Sequence, residues 1–307
     1  MAASAGRCRY VGGMSEPTPE PTAVEDDAID AASEVREVST TGWPDGYIYG
    51  ATRYADVILK ESFPERFEDL VIALERFRPT LDELRSGGGG RTVFVRRFDE
   101  SLGDMHGGTV WGKQNITIDK MVSLDGTPLR SSKVRGHEID MFGKGTSHAP
   151  IPGIAVEMEW NNKDPFYDRD LINFQALHHE GAISMGVIVT RGPRLQELIS
   201  HTIRSKDGGW KYGQSSTHWD KLVPRVNLGG GGQCPLLLIG IEPERIDGIE
   251  LAQQVVTLLE QAAAFKAGWR DQHTRWADAK PTYDRMFKAA LDLMPPVKTE
   301  SSEPDDE

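Results

Sequence analysis

The chain has few cysteines, no long hydrophobic run and little net charge outside its two ends. Cys8 and Cys234 are too few and too far apart for a zinc knuckle or a disulfide framework. No apolar segment approaches the roughly 18 residues that a membrane-spanning helix requires, and the N-terminal segment lacks the hydrophobic core of an export signal. These absences predict a soluble cytoplasmic protein without a membrane partner.

The acidic residues are concentrated at the two ends of the chain. Residues 1–47 carry nine acidic residues against three arginines, and residues 297–307 carry five against one lysine. The formal net charge of −12 therefore leaves −2 for residues 48–296, and a nearly neutral body can still carry the basic cleft that nucleic-acid binding needs. The ends contain few large apolar groups, which predicts disordered acidic tails over 1–41 and 297–307 and one folded domain over 42–296. Met14 is an alternative start to Met1.

Hydrophobic periodicity predicts the elements of the first half of the domain. Ser62-Phe63-Pro64-Glu65 predicts a capping box at the start of a helix that Pro79 ends. Asp125-Gly126 predicts a hairpin turn. Strands are predicted at Thr92–Arg96, Asn115–Lys120 and about Lys133–Asp140.

The second half predicts a crossover unit. A strand over Ile154–Glu159, a helix over Asp168–His179 and a nearly continuous apolar strand over Ile183–Thr190 favour two parallel strands joined by a helix. Together the elements predict one α/β domain over a mixed sheet, antiparallel at first and parallel later. The remaining predicted elements are a strand over Pro235–Ile241 and helices over Leu195–Ile203, Leu251–Ala267 and Tyr283–Met294.

Three carboxylates in the middle of the chain form a pattern with chemical meaning. Asp140 ends the run His137-Glu138-Ile139-Asp140, and Glu157 and Glu159 end an apolar run that begins at Ile151. On a strand, residues two apart face the same side about 6.6 Å apart, so the two glutamates point at one spot. With an Asp on a neighbouring strand they predict a site for a hard divalent cation such as Mg²⁺, which prefers oxygen ligands and can activate water beside a phosphoryl oxygen.

Other interpretations of these acids are open at this point. A Glu-x-Glu pair is often the solvent-facing half of a strand, but here Trp160, two Asn and a Lys follow, which favours a polar cleft. A glycosidase pair is disfavoured because both carboxylates lie on one strand, whereas the two groups should flank the scissile bond. Glu138 is either a further ligand or a structural acid paired with Lys133 or Arg135, and the structural role is favoured.

The order and spacing of these residues resemble the catalytic core of the type II restriction endonucleases, in particular the group of BglII, BstYI and BamHI. The usual core of that superfamily is an Asp followed by Asp/Glu-x-Lys; this group replaces the Lys by Glu or Gln, and Glu159 stands at that position. The resemblance implies a restriction-endonuclease-like α/β core, in which a mixed β-sheet is flanked by helices. It covers roughly residues 43–270 and includes the stretches Trp111–Ile116, His137–Asp140, Glu157–Asp164 and Ser215–Lys221.

The resemblance also implies a role for each acid and for one lysine. Asp140 and Glu157 would ligate Mg²⁺, Glu159 would position or deprotonate the attacking water, and Lys113 would contact the scissile phosphate. The implied activity is Mg²⁺-dependent, site-specific cleavage of double-stranded DNA. A catalytically inactive or regulatory DNA-binding protein on the same fold is the alternative, and the presence of all three carboxylates argues against it.

Polar side chains near the ends of the predicted strands are the candidates for DNA contact. In the major groove Asn can bond adenine and Arg can bond guanine, while Lys and hydroxyl groups bind phosphates. Each has an ordinary structural alternative, such as an Asn in a turn or an Arg paired with an acid. The predicted DNA-binding residues are Lys113, Asn161, Asn162, Lys163, Arg191, Arg194, Ser216, Thr217, His218 and Lys221.

Cleavage of both strands at one site needs two active sites, which predicts a homodimer that recognises a palindrome. The helix Asp168–His179 is expected to form part of the interface, because members of the resembled group dimerise through helices near the catalytic core. The resemblance further suggests a six-base palindrome with a central GATC, cut to leave 5′ overhangs, and by analogy a companion methyltransferase.

Overall fold

The computed structural model describes residues 34–86, 91–146, 148–205 and 209–295. The strands are β1 (Arg36–Glu37), β2 (Tyr47–Ala51), β3 (Trp111–Gln114), β4 (Thr117–Leu124), β5 (Thr127–Arg135), β6 (Ile139–Gly143), β7 (Gly153–Glu159), β8 (Ile183–Arg191) and β9 (Leu236–Ile241). The helices are α1 (Ala55–Val57), α2 (Pro64–Arg76), α3 (Leu81–Arg85), α4 (Val93–Gly103), α5 (Phe166–His179), α6 (Pro193–Ser200), α7 (Trp219–Asn227), α8 (Glu250–Gly268) and α9 (Trp276–Asp292).

Seven of these strands form one mixed sheet in the order β1-β2-β9-β8-β7-β6-β3. β7, β8 and β9 run parallel to one another, and their neighbours on either side pair antiparallel. The crossover from β7 through α5 to β8 is the predicted one, because both strands are apolar runs and a helix of 14 residues separates them. The expected fold class, a mixed sheet flanked by helices, is confirmed.

Each face of the sheet is covered by its own apolar cluster. Val156 and Met158 of β7 pack with residues of α2, α4 and α6 on one face, while Ala155 packs with residues of α5 and α7 on the other. Because side chains alternate along a strand, Glu157 and Glu159 lie on the same side as Ala155. The two glutamates therefore face α5.

Two local predictions from the first half are wrong. Thr92–Arg96 is not a strand but the start of α4, whose Phe94, Val95, Phe98 and Leu102 are buried at helical spacing. The β-branched residues favour a strand locally, but packing of one helical face decides the structure. The predicted capping box at Ser62 is also absent, since Phe63 precedes α2 without a side-chain cap.

A capping box does occur one helix later. The Thr80 hydroxyl accepts the Glu83 backbone N–H at 3.2 Å, and the Glu83 carboxylate accepts the Thr80 backbone N–H at 2.8 Å. The predicted hairpin turn at Asp125-Gly126 does join β4 and β5, but these two strands form a separate ribbon. Asp140 lies on β6, a further strand of the main sheet.

The ends of the chain were predicted to be tails. Residues 36 and 37, inside the predicted tail over 1–41, form β1 and pair with β2, and Val38 is buried. Residues 1–33 and 296–307 lie outside the described residues, so the predicted disorder of those segments stays a prediction. At the other end of the domain, α9 begins at Trp276 rather than at Tyr283 and contains Pro281.

Candidate active site

The structure places Asp140 and Glu157 side by side on adjacent strands. Met141 of β6 lies opposite Val156 of β7, so the next pair along the two strands is Asp140 and Glu157. The backbone N–H of Asp140 donates to Glu157 Oε1 at 3.3 Å. Glu159 follows on the same side of β7, and the three predicted acids are therefore brought to one end of this strand pair.

Glu157 is a carboxylate deep inside the protein. Its residue surface is 1% exposed. Burial raises the pKa of Glu157 well above its ordinary value, and the neighbouring charge of Asp140 raises it further. Glu157 therefore favours its protonated form, first because it is removed from water and second because Asp140 lies beside it.

A fourth carboxylate, Asp170 of α5, joins the cluster and was not predicted. The residue is 1% exposed, and its Oδ2 is buried without a hydrogen-bond partner among the described residues. Burial raises the pKa of Asp170. A sequence signal existed, because Asp170 stands in the apolar stripe of α5 between Tyr167 and Leu171, where a charged residue is out of place.

Glu159 is held by contacts from two directions. Asn162 Nδ2 donates to its Oε2 at 2.6 Å, and Arg169 Nη2 donates to its Oε1 at 3.4 Å. Burial, followed by the charge of Asp170, raises the pKa of Glu159 to about 8. Arg169 also pairs with Asp170 at 2.8 Å, so one guanidinium bridges the two acids.

A second arginine, also unpredicted, contacts the cluster from the opposite side. Arg91 Nη1 lies 2.6 Å from Asp140 Oδ2, and its Nε donates to Asp99 Oδ2 of α4 at 2.7 Å. Burial raises the pKa of Asp99 to about 6, although Arg91 works against this rise. Arg91 follows a glycine run without any periodic pattern, so its position in the site has no sequence signal.

Hydrogen bonds from α5 and β8 fix the strands that carry the acids. Asn173 of α5 accepts the backbone N–H of His137 and donates to its carbonyl oxygen, both at 3.2 Å. The Thr190 hydroxyl donates to the Glu159 carbonyl oxygen at 2.8 Å and bonds the Tyr167 hydroxyl at 2.6 Å. The backbone on both sides of the cluster is thus tied to α5.

Within the described ranges, no group of three or more His, Cys, Asp or Glu side chains has the arrangement of a metal site. One carboxylate oxygen of Asp140, Oδ2, contacts Arg91, so the carboxylate is not directed at Glu157 alone. The donor set nevertheless fits a hard divalent cation, because the side chains of Asp140 and Glu157 interact with each other and, with Asp170 Oδ2, supply the oxygen ligands that such a cation prefers.

Arg191, a predicted DNA contact, lies inside the protein, and its contact with DNA stays a prediction. Its side chain is fully buried, and its Nη2 donates to Ser216 Oγ at 2.7 Å and to the Thr217 carbonyl oxygen at 2.6 Å. Its Nη1 donates to Gln196 Oε1, and the guanidinium lies 4.9 Å from the centre of the Tyr212 ring. Arg191 therefore ties the end of β8 to the loop before α7, and its guanidinium is engaged inside the protein.

Three further predicted DNA contacts, Ser216, Thr217 and His218, lie in that loop, and their contact with DNA likewise stays a prediction. Thr217 and His218 are buried, at 0% and 1% exposure. His218 Nδ1 lies 2.7 Å from the Ser216 carbonyl oxygen, and burial lowers the pKa of His218. The Ser216 hydroxyl donates to the Gly213 carbonyl oxygen at 2.7 Å. The side chains of Ser216 and His218 thus hold the loop together, while Thr217 Oγ1 is buried without a hydrogen-bond partner among the described residues.

The remaining predicted contacts are accessible to different degrees. Asn161 and Lys163 are exposed, and Lys221 is half-buried. Asn162 is exposed too, but its amide donates to Glu159. Arg194 is 60% exposed at the side chain and forms a two-pronged pair with Glu244 at 2.8 and 2.7 Å.

Glu138 and Lys113 face each other outside the carboxylate cluster. Lys113 Nζ lies 3.5 Å from Glu138 Oε1, and Asn115 Nδ2 donates to Glu138 Oε2 at 2.7 Å. The favoured structural role of Glu138 agrees with these contacts, although its partners are Lys113 and Asn115 rather than Lys133 or Arg135.

Two comparisons bear on the identity of the chain. The sequence matches the model of the family described as Restriction endonuclease BglII/BglIII over residues 47–241, which is more than half of its length. A search of curated proteins gave no match. In the part of the chain that the structure describes, no helix combines the length and the apolar composition needed to cross a bilayer. The chain belongs to the BglII/BglIII restriction endonuclease family and is accordingly a type II restriction endonuclease, a site-specific deoxyribonuclease whose partner is DNA.

Proposed function

We propose that the protein cleaves both strands of DNA with Mg²⁺, held by Asp140 and Glu157, while Glu159 positions or deprotonates the attacking water. Enzymes of this kind typically use divalent metal ions. The observation that carries the proposal is the contact between the Asp140 backbone and the buried carboxylate of Glu157, with Glu159 two residues further along β7. Two adjacent carboxylates and a third beside them match the three roles.

The bound cation would offset the charge of the phosphodiester and lower the pKa of water. Glu159 is suited to hold that water, because Asn162 of the loop after β7 and Arg169 of α5 fix its two oxygens. As a base Glu159 must be ionised, and its raised pKa shows that the metal-free cluster resists this ionisation. Positive charge brought to the cluster favours the ionised form.

An inactive or regulatory DNA-binding protein on the same fold is the competing proposal. Such a protein has no need to bury Glu157, Glu159 and Asp170 next to each other, since taking carboxyl groups out of water costs folding free energy. The buried acids therefore favour the nuclease.

For DNA contact we propose the predicted residues whose side chains reach the surface. Asn161 and Lys163 follow β7 directly, and Lys221 lies in the first turn of α7. Lys113 on β3 is 58% exposed at its side chain, which suits a phosphate contact once its pairing with Glu138 is exchanged. Asn162 would act on DNA indirectly, through its bond to Glu159.

We further propose a homodimer on a palindrome, because one cluster of acids cuts one strand at a time. One face of α5 is buried against the sheet, while Ile172 on its other face is 66% exposed and Phe166 is 39% exposed. This apolar surface beside the acids supports α5 as part of the dimer interface. Light scattering that gives the monomer mass both free and on cognate DNA contradicts the dimer.

The resemblance to the BglII group is what supports a six-base site with a central GATC, a companion methyltransferase and a cytoplasmic location. Sequencing the ends produced from a random-sequence library tests the site directly. Reproducible ends without GATC remove this specificity and leave the nuclease in place.

The central experiment is cleavage of plasmid DNA with Mg²⁺ and with a chelator, using the full chain. Cleavage that needs the cation and gives reproducible ends supports the proposal. Absence of cleavage with every divalent cation tried contradicts it. Glu159 is tested separately, because the BglII group has Glu or Gln at this position where the superfamily usually has Lys. Glu159→Ala should be inactive, whereas Glu159→Lys restores the commoner pattern and should keep part of the activity.

A further inference from the structure

We infer that Arg91 is a positioning residue that occupies the cation position at Asp140 until a divalent cation displaces it, and that Asp99 retains the displaced guanidinium. The inference rests on the proposed role of Asp140 and Glu157 as cation ligands. It adds two residues to the working site, Arg91 before α4 and Asp99 within it.

The first observation is that Arg91 bridges two acids with different surroundings. Its Nη1 lies 2.6 Å from Asp140 Oδ2 and its Nε lies 2.7 Å from Asp99 Oδ2. Asp140 belongs to the cluster on β6 and β7, whereas Asp99 belongs to a helix outside it. The contact between Arg91 and Asp140 can therefore break while the contact between Arg91 and Asp99 remains.

Burial makes this bridge more than an ordinary surface pair. The side chains of Arg91, Asp140 and Asp99 are 26%, 18% and 13% exposed. Solvent screens such a pair less than an exposed one. In addition, Arg91 Nη2 is buried without a hydrogen-bond partner among the described residues, so the guanidinium is not fully satisfied in this position.

A nearby pair shows what a purely structural ion pair looks like in this fold. Asp69 of α2 receives Arg66 Nη1 at 2.6 Å, Trp111 Nε1 at 2.8 Å and a contact from His106 Nε2 at 2.8 Å. Arg66 and Trp111 both donate to its Oδ2, and His106 contacts its Oδ1, so both oxygens of Asp69 have partners. Asp140 instead directs Oδ2 to Arg91 and lies beside another carboxylate, Glu157.

Competition follows from the geometry. A divalent cation that binds Asp140 next to Glu157 brings two positive charges to the oxygens that the guanidinium now neutralises. Like charges at such distances repel strongly in a partly buried site. The guanidinium must leave Asp140, and the second contact, to Asp99, decides how easily it leaves.

The test measures Mn²⁺ binding by titration calorimetry on the full chain without DNA. Arg91→Met removes the competing charge, so the apparent Kd for Mn²⁺ should fall by about fivefold or more, the lower end of usual coupling between two ligands. Asp99→Asn removes the retaining partner and should raise the Kd. Arg97 lies on α4, as Asp99 does, and its guanidinium pairs with Glu83. Arg97→Met should therefore leave the Kd unchanged.

A double substitution separates retention from simple loss of negative charge. In the Arg91→Met background, Asp99→Asn should change the Kd by less than about twofold, the scatter of independent sites. If Asp99→Asn weakens Mn²⁺ binding equally with and without Arg91, Asp99 acts as a plain charge and its retaining role is refuted. If Arg91→Met leaves Mn²⁺ affinity unchanged or weaker, the competition itself is refuted.

The outcomes also distinguish this inference from the proposed function. If the wild-type chain cuts DNA with Mg²⁺ and binds Mn²⁺, a flat result for Arg91→Met contradicts the inference alone. If the wild-type chain binds no divalent cation, the proposed ligands fail as well. Should Arg91→Met not fold, Arg91→Gln decides instead: its uncharged amide can still donate to an acid but brings no competing charge, so tighter Mn²⁺ binding supports competition and unchanged binding refutes it.

Discussion

Two groups of buried charge lie near the ends of β7 and β8 and are compensated in different ways. At the end of β7, Glu157, Glu159 and Asp170 are buried together, and their pKa values are raised. At the end of β8, Arg191 is just as buried, but its two terminal nitrogens donate to side-chain and carbonyl oxygens.

The difference separates a reactive site from a scaffold. A buried guanidinium whose terminal nitrogens are hydrogen-bonded stabilises the loop that supplies the acceptors, although Arg191 Nε is buried without a hydrogen-bond partner among the described residues. Buried acids that neighbouring cations only partly offset are held by the fold for another reason, which is typical of a functional site. Loss of an acid should therefore affect the chemistry, and loss of Arg191 should affect the fold.

The largest expected effect is on cleavage. Asp140→Ala or Glu157→Ala should lower the cleavage rate by on the order of 10³ or more, because each removes a ligand of the cation that activates water. DNA binding, followed by gel shift with Ca²⁺, should remain. Glu138→Ala is the matched control, since Glu138 pairs with Lys113 and Asn115 outside the cluster. A near wild-type rate for either cluster variant shows that the ligand assignment is wrong.

Next in size is the stability of the loop before α7. Arg191→Met should lower the free energy of unfolding by about 3 kcal/mol, since it leaves buried acceptors without the charged donor. Urea denaturation measures this change. Arg275→Met, at an exposed pair with Asp278, should cost less than about 1 kcal/mol. Unchanged stability of Arg191→Met together with relaxed sequence choice assigns Arg191 to base recognition instead.

A smaller effect is expected on DNA binding at the exposed residues. Asn161→Ala should weaken binding to cognate DNA by about tenfold, the low to middle range for loss of an adenine contact. Lys163→Met and Lys221→Met should each reduce the salt dependence of binding by about one ion. Binding isotherms at several salt concentrations measure both quantities. Equal weakening on cognate and random DNA would place Asn161 on the phosphate backbone.

A further effect, on a different axis, is a pH dependence of stability without divalent cations. The pKa of Glu159 is about 8 in the folded protein, against an ordinary value of 4.5. Between these values the folded state holds a proton that the unfolded state has lost, so stability falls as the pH rises from about 4.5 to about 8. Glu159→Gln should flatten this fall in Tm measured over that range, and added Mg²⁺ should oppose it. A slope that Glu159→Gln leaves unchanged assigns the effect to other groups.

Much of the active strand could be predicted from its sequence. The apolar run that ends in Glu157-Met158-Glu159 has a period of two, and the helix and the apolar strand that follow fix a parallel crossover. Thr92–Arg96 shows where such reasoning fails: its β-branched residues favour a strand, yet Phe94 and Phe98 are buried as one face of a helix. Tertiary packing overrides a local preference worth less than about 1 kcal/mol.

The sequence by itself determined the order of Asp140, Glu157 and Glu159 and the strand on which the two glutamates lie, because periodicity and spacing are local properties. The tertiary structure alone decided which charges meet them. Arg91, just before α4, and Asp170 of α5 contact the cluster. Arg191 is buried against the loop before α7. Contacts between elements far apart in the chain depend on how those elements pack, and no local pattern records that packing.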